Sequence, residues 1–232
     1  MKRIKLLVAF ILSVVLLSGC TGKFSPKETA VRIGKDGTIT AAVIDELDQS
    51  YYKEDELETT VKQAVADYNA DAGEDKITIE TFNIKERSVS LFIKYASSED
   101  YEAFNNVTFF AGDIVNADQA GYEFDASFIG ITKGKITNEN ADQKEVIGEN
   151  YNVLILEESM SVEVPGNIVF VSSNVEVTGK RKAAVKAERT DSEEETQAGS
   201  GSETEIEAIK PVEELEKETQ ESKAAIAYII YE

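Results

Sequence analysis

Histidine and tryptophan are absent from this 232-residue chain, and cysteine occurs once, at Cys20. Each absence closes a class of chemistry. Without histidine the chain lacks the commonest general base and the commonest metal ligand, so neither a Ser-His-Asp nor a Cys-His apparatus can be assembled. A single cysteine excludes an internal disulfide, a thiolate zinc site and a thiol protease, which leaves stability to an ordinary packed core. Basic residues are also in short supply, 24 Lys and Arg against 44 Asp and Glu, for a formal net charge of -20. A chain so acidic is repelled by nucleic acid and by an anionic membrane surface, so no nucleic-acid partner is expected. Without tryptophan the best sugar-stacking side chain is missing as well.

Long apolar runs are equally scarce, and the first one stands at the start. Met1-Lys2-Arg3-Ile4-Lys5 is positive, and Leu6 to Leu17 is apolar except at Ser13. A run of about twelve residues is too short for a bilayer core that needs roughly twenty in a helix, and the pattern is that of an export signal. It ends in Leu17-Ser18-Gly19-Cys20, which resembles the lipobox of bacterial lipoproteins. That resemblance implies cleavage between Gly19 and Cys20 and a diacylglyceryl thioether on Cys20, with palmitate among the acyl chains. It also gives an otherwise isolated thiol a role. Removing residues 1–19 discards Lys2, Arg3 and Lys5 and takes the net charge from -20 to -23. The chain is therefore expected to be held on the extracytoplasmic face of the cell membrane by lipid.

Residues 20–30 read as the lipidated cysteine and a short polar tether, and 31–187 as one α+β domain. Val31-Arg32-Ile33 and Thr38 to Ile44 are expected strands around the Asp36-Gly37 turn. From Lys53 to Ala72 the period lengthens: Leu57, Val61, Ala64, Val65 and Tyr68 line one helical face, with Glu54, Asp55 and Glu56 in the first turn and Gly73 as the stop. Lys76–Ile84 and Ser88–Tyr95 read as a hairpin, with a phase change that predicts a bulge near Thr81. Ser97 or Ser98 should cap a short helix through Tyr101 and Phe104. A strand at Val107–Phe110, a weak helix from Asp113 to Ala120 and a strand at Ser127–Thr132 follow. Residues 133–150 are polar and read as a loop with little structure. Val153-Leu154-Ile155-Leu156 is apolar on both faces and predicts a central strand. Ser161–Val164, Asn167–Val171 and one strand from Val175 to about Val185 complete this half, with turns at Pro165-Gly166 and Ser172-Ser173-Asn174.

Residues 188–222 change character, with thirteen acids against Arg189, Lys210 and Lys217. Ser192–Ser202 has almost nothing apolar to bury, so this acidic, low-complexity stretch is expected to stay disordered outside the core. The segment 223–232 then turns apolar and β-prone from Ala224 to Tyr231, a hazard if exposed. It is expected to return and pair with the sheet, the alternative being a tail that donates its strand to a partner.

Candidate chemistry is sparse. Ser50-Tyr51-Tyr52-Lys53 matches the S-x-x-K of penicillin-recognising enzymes, but the K-T-G strand and S-D-N loop that this chemistry requires are missing. Asp45-Glu46-Leu47-Asp48, Glu54-Asp55-Glu56 and Glu157-Glu158 could offer oxygens to Ca²⁺, yet none has the alternating spacing of an EF-hand loop. Tyr51 and Tyr52 could stack weakly on a sugar in place of tryptophan, but read more simply as partly buried helix-entry residues. The one basic cluster, Lys180, Arg181, Lys182 and Lys186, could touch anionic envelope polymer or lipid headgroups, but reads more simply as a lysine-studded strand edge or a counterion for the acidic stretch. No catalytic, cofactor-binding or metal-binding residue is assigned, and no cofactor besides the covalent lipid.

Tyr52-Lys53-Glu54-Asp55-Glu56-Leu57, Ala66-Asp67-Tyr68-Asn69, Lys94-Tyr95-Ala96-Ser97, Val162-Glu163-Val164-Pro165-Gly166 and Val175-Glu176-Val177-Thr178-Gly179-Lys180 resemble stretches of uncharacterised lipoproteins from Gram-positive bacteria. The resemblance spans most of residues 38 to 182, supports the address, and brings no activity or functional residues. The expected fold is α+β, a mostly antiparallel sheet with one main helix packed on it and an acidic excursion before a last strand. The expected function is non-enzymatic: an envelope-facing binding, adaptor or structural lipoprotein whose partner is an envelope protein or cell-surface ligand. A surface hydrolase using a carboxylate pair and a Ca²⁺-stabilised extracellular module are the alternatives.

Overall fold

The computed structural model describes residues 24–47, 53–147, 150–186 and 225–232. Two sheets face each other across a core, and the described residues form the α+β, mostly antiparallel fold that the patterning predicts. Sheet A has seven strands. In spatial order they are β11 (Val175–Val177), β12 (Lys182–Val185), β9 (Ser161–Glu163), β1 (Ala30–Ile33), β2 (Ile39–Glu46), β4 (Ser88–Tyr95) and β3 (Ile77–Lys85). Sheet B has six, in the order β5 (Phe109–Asp113), β8 (Asn152–Leu156), β13 (Ala227–Tyr231), β10 (Ile168–Ser172), β6 (Phe128–Thr132) and β7 (Lys135–Ala141). Every described pairing is antiparallel except that of β1 with β9.

The main helix, α1 (Glu54–Ala72), ends where Gly73 takes a left-handed conformation, φ 71°. Leu57, Val61, Val65 and Tyr68 on its apolar face join the core beside β3, and Asn69 clamps the Ile77 backbone through a donated and an accepted hydrogen bond. Helix α2 (Ser98–Asn105) is capped by Ser97, whose hydroxyl accepts from the Asp100 amide at 3.2 Å. Helix α3 (Ile114–Gln119) is capped in the same way by Asp113. The β3–β4 register shifts between Ile79 and Thr81, the expected bulge.

The larger core lies between the sheets and joins Val31, Ile33, Ile39 and Ile93 of sheet A to Phe109, Leu154, Leu156 and Ile229 of sheet B. A second cluster covers the far face of sheet B: Val153, Ile155, Tyr228 and Ile230 meet Ile114 and Ala117 of α3, Phe124, and Val146 of α4 (Gln143–Ile147). The middle of sheet B is therefore buried on both faces. Strand β13 sits inside it, in continuous register with β8 and paired on its other side with β10.

Three expectations need correction. Residues 133–150 are not a loop of little structure: they hold β7 and α4. Strand β7 hides from pattern reading because six of its seven residues are exposed, so no alternation marks it. It is held through the β6–β7 turn at Lys133-Gly134, both at positive φ (54° and 77°), as a tight hairpin turn requires. Helix α4 rests on one buried residue, Val146, and on Asp142, which accepts from the Lys144 amide. Second, Val175–Val185 is two strands, β11 and β12, folded back around Thr178-Gly179. Third, the strand near Val107 runs two residues later, as β5, because Val107 is spent on closing α2 through its amide to Glu102.

Candidate functional site

Gly19 and Cys20, with the leader before them, lie outside the described residues, as do Ser50, Tyr51, Tyr52 and the acidic segment. Residues 24–29 cross the outer face of sheet A, the side turned away from the core. Phe24 packs edge-on against Phe92 of β4, ring centroids 6.1 Å apart, and the Arg32 guanidinium lies 4.5 Å from its centroid on the ring face. The segment is tied down at its end: the Thr29 hydroxyl bridges the Ile44 backbone, and the Ser161 amide donates to the Thr29 carbonyl. Ser161 also donates its hydroxyl to Glu28. Beneath this segment Ala30 and Ala42, which point outward, are nonetheless buried.

The strand registers place Lys182, Glu163, Arg32, Thr40 and Lys94 in one row across β12, β9, β1, β2 and β4. Arg32 bonds Glu163 at 3.1 Å, and Lys182 approaches the same carboxylate at 3.6 Å. Glu163 is thus the hub that lets two cations share one strip of sheet, opposite charges on neighbouring strands being favourable. Two shallow cavities flank the row. One, of about 390 Å³, is lined by Arg32, Lys35, Asp36, Glu163, Pro165 and Arg181 among others. The other, of about 430 Å³, is lined by Phe24, Lys27, Glu28, Ser161, Thr178 and Lys182 among others. Between them they present five bases and three acids. Asp36 is kept charged: the Thr38 hydroxyl and amide donate to it and hold its carboxyl below the ordinary aspartate value.

Of the predicted basic cluster, Arg181 and Lys182 reach this face, whereas Lys186 pairs with Glu176 at 2.8 Å farther along the hairpin. Sequence reading missed Arg32, Lys35, Lys94 and Lys27, because only long-range register unites them. The acid clusters do not converge: among the described residues no group of three or more acidic side chains could hold a metal ion. Lys53 of the S-x-x-K match pairs with Glu56 at 2.6 Å on the exposed start of α1. Glu158 accepts from the Tyr101 hydroxyl at 2.9 Å. Tyr101 is packed between Tyr95 and Phe109, and burial first, then Glu158, pushes its phenol well above the ordinary value.

Comparison with family models, with curated proteins and with solved structures found no match.

A second concavity, of about 580 Å³, lies at the opposite end of the strands, between residues 121–127, 172–174 and 225–228. Here the chain leaves for and returns from residues 187–224. The Lys186 amide donates to the Asn174 carbonyl at 3.1 Å, while the Asn174 side chain donates to the Ala225 carbonyl at 2.8 Å. One residue therefore holds both ends. Ser172 and the Tyr228 hydroxyl, which reach the Tyr228 amide and the Glu123 carbonyl respectively, complete a polar frame that anchors β13.

Proposed function

We propose that this chain is a membrane-anchored extracytoplasmic lipoprotein acting as a non-enzymatic binding, adaptor or structural protein of the cell envelope. The observation that carries the reading is Cys20, the chain's one cysteine, placed directly after Leu17-Ser18-Gly19 at the close of a basic-then-apolar leader. Two acyl chains on one cysteine hold firmly, each buried methylene contributing about 0.8 kcal/mol, where one chain would bind only marginally. Phe24, four residues after Cys20, packs against Phe92 and Arg32 of the folded body, so a lipid on that cysteine would hold the whole module near the membrane. What the body offers is surface, in the form of a partly basic sheet face and a cleft beside Asn174.

The test is metabolic labelling with a fatty acid in a bacterial host. The wild-type chain should take up label, lose residues 1–19 and fractionate with membranes, and Cys20→Ala should abolish all three. Intact-mass measurement showing an unmodified Cys20 thiol, or a retained leader, would overturn the proposal.

A further inference from the structure

We propose that the outer face of sheet A is the membrane-facing side of the protein and engages anionic lipid headgroups through Lys27, Lys35 and Arg181. The geometry rests on the lipid-anchor reading. Phe24, fixed against Phe92 and Arg32 on that face, follows Cys20 by four residues. A chain of that length spans at most about 14 Å even when fully extended. Phe24 and the part of the outer face that it covers therefore lie close to the bilayer, and with that face turned to the membrane sheet B stands roughly a further 10 Å away.

The charge distribution matches that placement. The overall charge of -20 argues against attraction to an anionic surface, but screening makes the local face decide. At physiological ionic strength charges more than about 8 Å apart through solvent are largely hidden from one another. On and beside the outer face of sheet A, Lys27, Arg32, Lys35, Arg181 and Lys182 line the cavities, Lys94 extends their row, and Lys85 and Lys186 lie farther out, against Glu28, Asp36, Glu46, Glu163 and Glu176. Glu163 is engaged by two of those cations, Glu28 by Ser161 and Glu176 by Lys186, and Lys94 faces Asp36, while Lys27, Lys35 and Arg181 are the bases that this side offers to headgroups among the described residues. Elsewhere the balance reverses: residues 53–76, on and around α1, carry eight acids and three bases. The acids around α1 thus lie off the outer face of sheet A, since that helix packs into the core on the other side. A lipid tether alone leaves a module free to swivel. A basic face beside the tether gives it one preferred attitude, each base near an anionic leaflet strengthening contact roughly fivefold.

The chain has no tryptophan and one cysteine, which makes the test direct. The chain from Cys20 onward is coupled through that thiol to a maleimide lipid, so attachment does not depend on cellular lipidation. It is placed in vesicles carrying a headgroup nitroxide, of either phosphatidylglycerol or phosphatidylcholine. A single reporter is introduced by Thr40→Trp on the outer face of sheet A, or by Val115→Trp, 60% exposed beyond sheet B. Ser90→Trp, also on the outer face, replaces Thr40→Trp should circular dichroism show that variant misfolded. Quenching of the sheet A reporter should be at least about twofold stronger in phosphatidylglycerol than in phosphatidylcholine, with little quenching at Val115→Trp. Lys27→Glu, Lys35→Glu and Arg181→Glu together should remove the difference. Equal quenching of both reporters, or no dependence on lipid charge, would overturn the proposal. So would quenching that emerges only after deletion of residues 188–222, which would make the acidic segment the occupant of this face. Because coupling is chemical, a negative result here leaves the lipoprotein reading standing, and a failed labelling experiment leaves this measurement valid.

Discussion

In sheet A, Ser88–Tyr95 buries every second residue, Val89, Leu91, Ile93 and Tyr95, and turns the others outward. In sheet B, Val153–Leu156 and Ala227–Tyr231 are buried at every position. The residue types are similar; what differs is the number of faces covered. Sheet B is packed by sheet A on one side and by α3, α4 and residues 121–127 on the other, so along β8 and β13 neither set of side chains reaches water. Among the described residues sheet A has only the short segment 24–29 over part of its outer side, and polar and charged residues occupy the rest. A single open face is what makes a charged strip possible.

The sharpest way to break the contrast is to remove residues 225–232. Four large buried side chains, Tyr228, Ile229, Ile230 and Tyr231, each contributing about 1.5–3 kcal/mol, would be lost from the middle of sheet B together with the Ala227 methyl. That exceeds much of the roughly 5–15 kcal/mol available to a whole domain. The expected outcome is loss of cooperative thermal unfolding by circular dichroism, and a retained transition near the wild-type temperature would contradict the central role of β13. At single positions, Ile155→Ala in sheet B should cost about 2–5 kcal/mol in urea denaturation. Thr40→Ala on the open side of sheet A should stay within about 0.5 kcal/mol. Comparable losses would mean that both sheets are equally enclosed.

Alkaline titration probes the shared core from both sides. Burial raises Tyr95 of sheet A and Tyr231 of sheet B to about 12, against 10 for an unperturbed phenol. The folded state keeps these protons after the unfolded state has released them, so the stability tied to them is fully present below pH 10 and is lost as pH rises from about 10 to 12. Each tyrosine accounts for roughly 2–3 kcal/mol across that window. Midpoints of chemical denaturation should fall there, and Tyr95→Phe or Tyr231→Phe should flatten the fall. A stability independent of pH in this range would be inconsistent with the burial. Replacing residues 187–224 by a short Gly-Ser linker should act in the opposite direction. Asn174 already holds both ends, so the domain should remain folded and gain about 1–2 kcal/mol from the shorter closure. A destabilised product would show that the excised residues contribute packing.

Much of the architecture was legible because local pattern and burial coincide. The stripe Leu57, Val61, Val65 and Tyr68 marks α1, the phase slip near Thr81 marks the bulge, and the apolar run at Val153 marks a strand inside a sheet. What escaped was structure without a buried face. Strand β7 exposes nearly everything, and its only local sign was the Lys133-Gly134 pair. The division into two sheets also escaped, since alternation tells which side of a strand is covered but not what covers it. For the same reason half of the basic face was invisible. Arg181 and Lys182 are adjacent in sequence, but Arg32, Lys94 and Glu163 join them only through pairings that span the chain.

Strand β13 occupies the middle of sheet B yet follows the residue 187–224 excursion in the order of synthesis. Until residue 231 has been made, β8 and β10 have no neighbour between them and the two halves of that sheet cannot join. Any product interrupted within the acidic stretch would leave two unpaired strand edges and an unfilled apolar slot, the kind of surface that proteases and chaperones recognise. The fold therefore proofreads its own length: only a chain that continues past the excursion can hide its core.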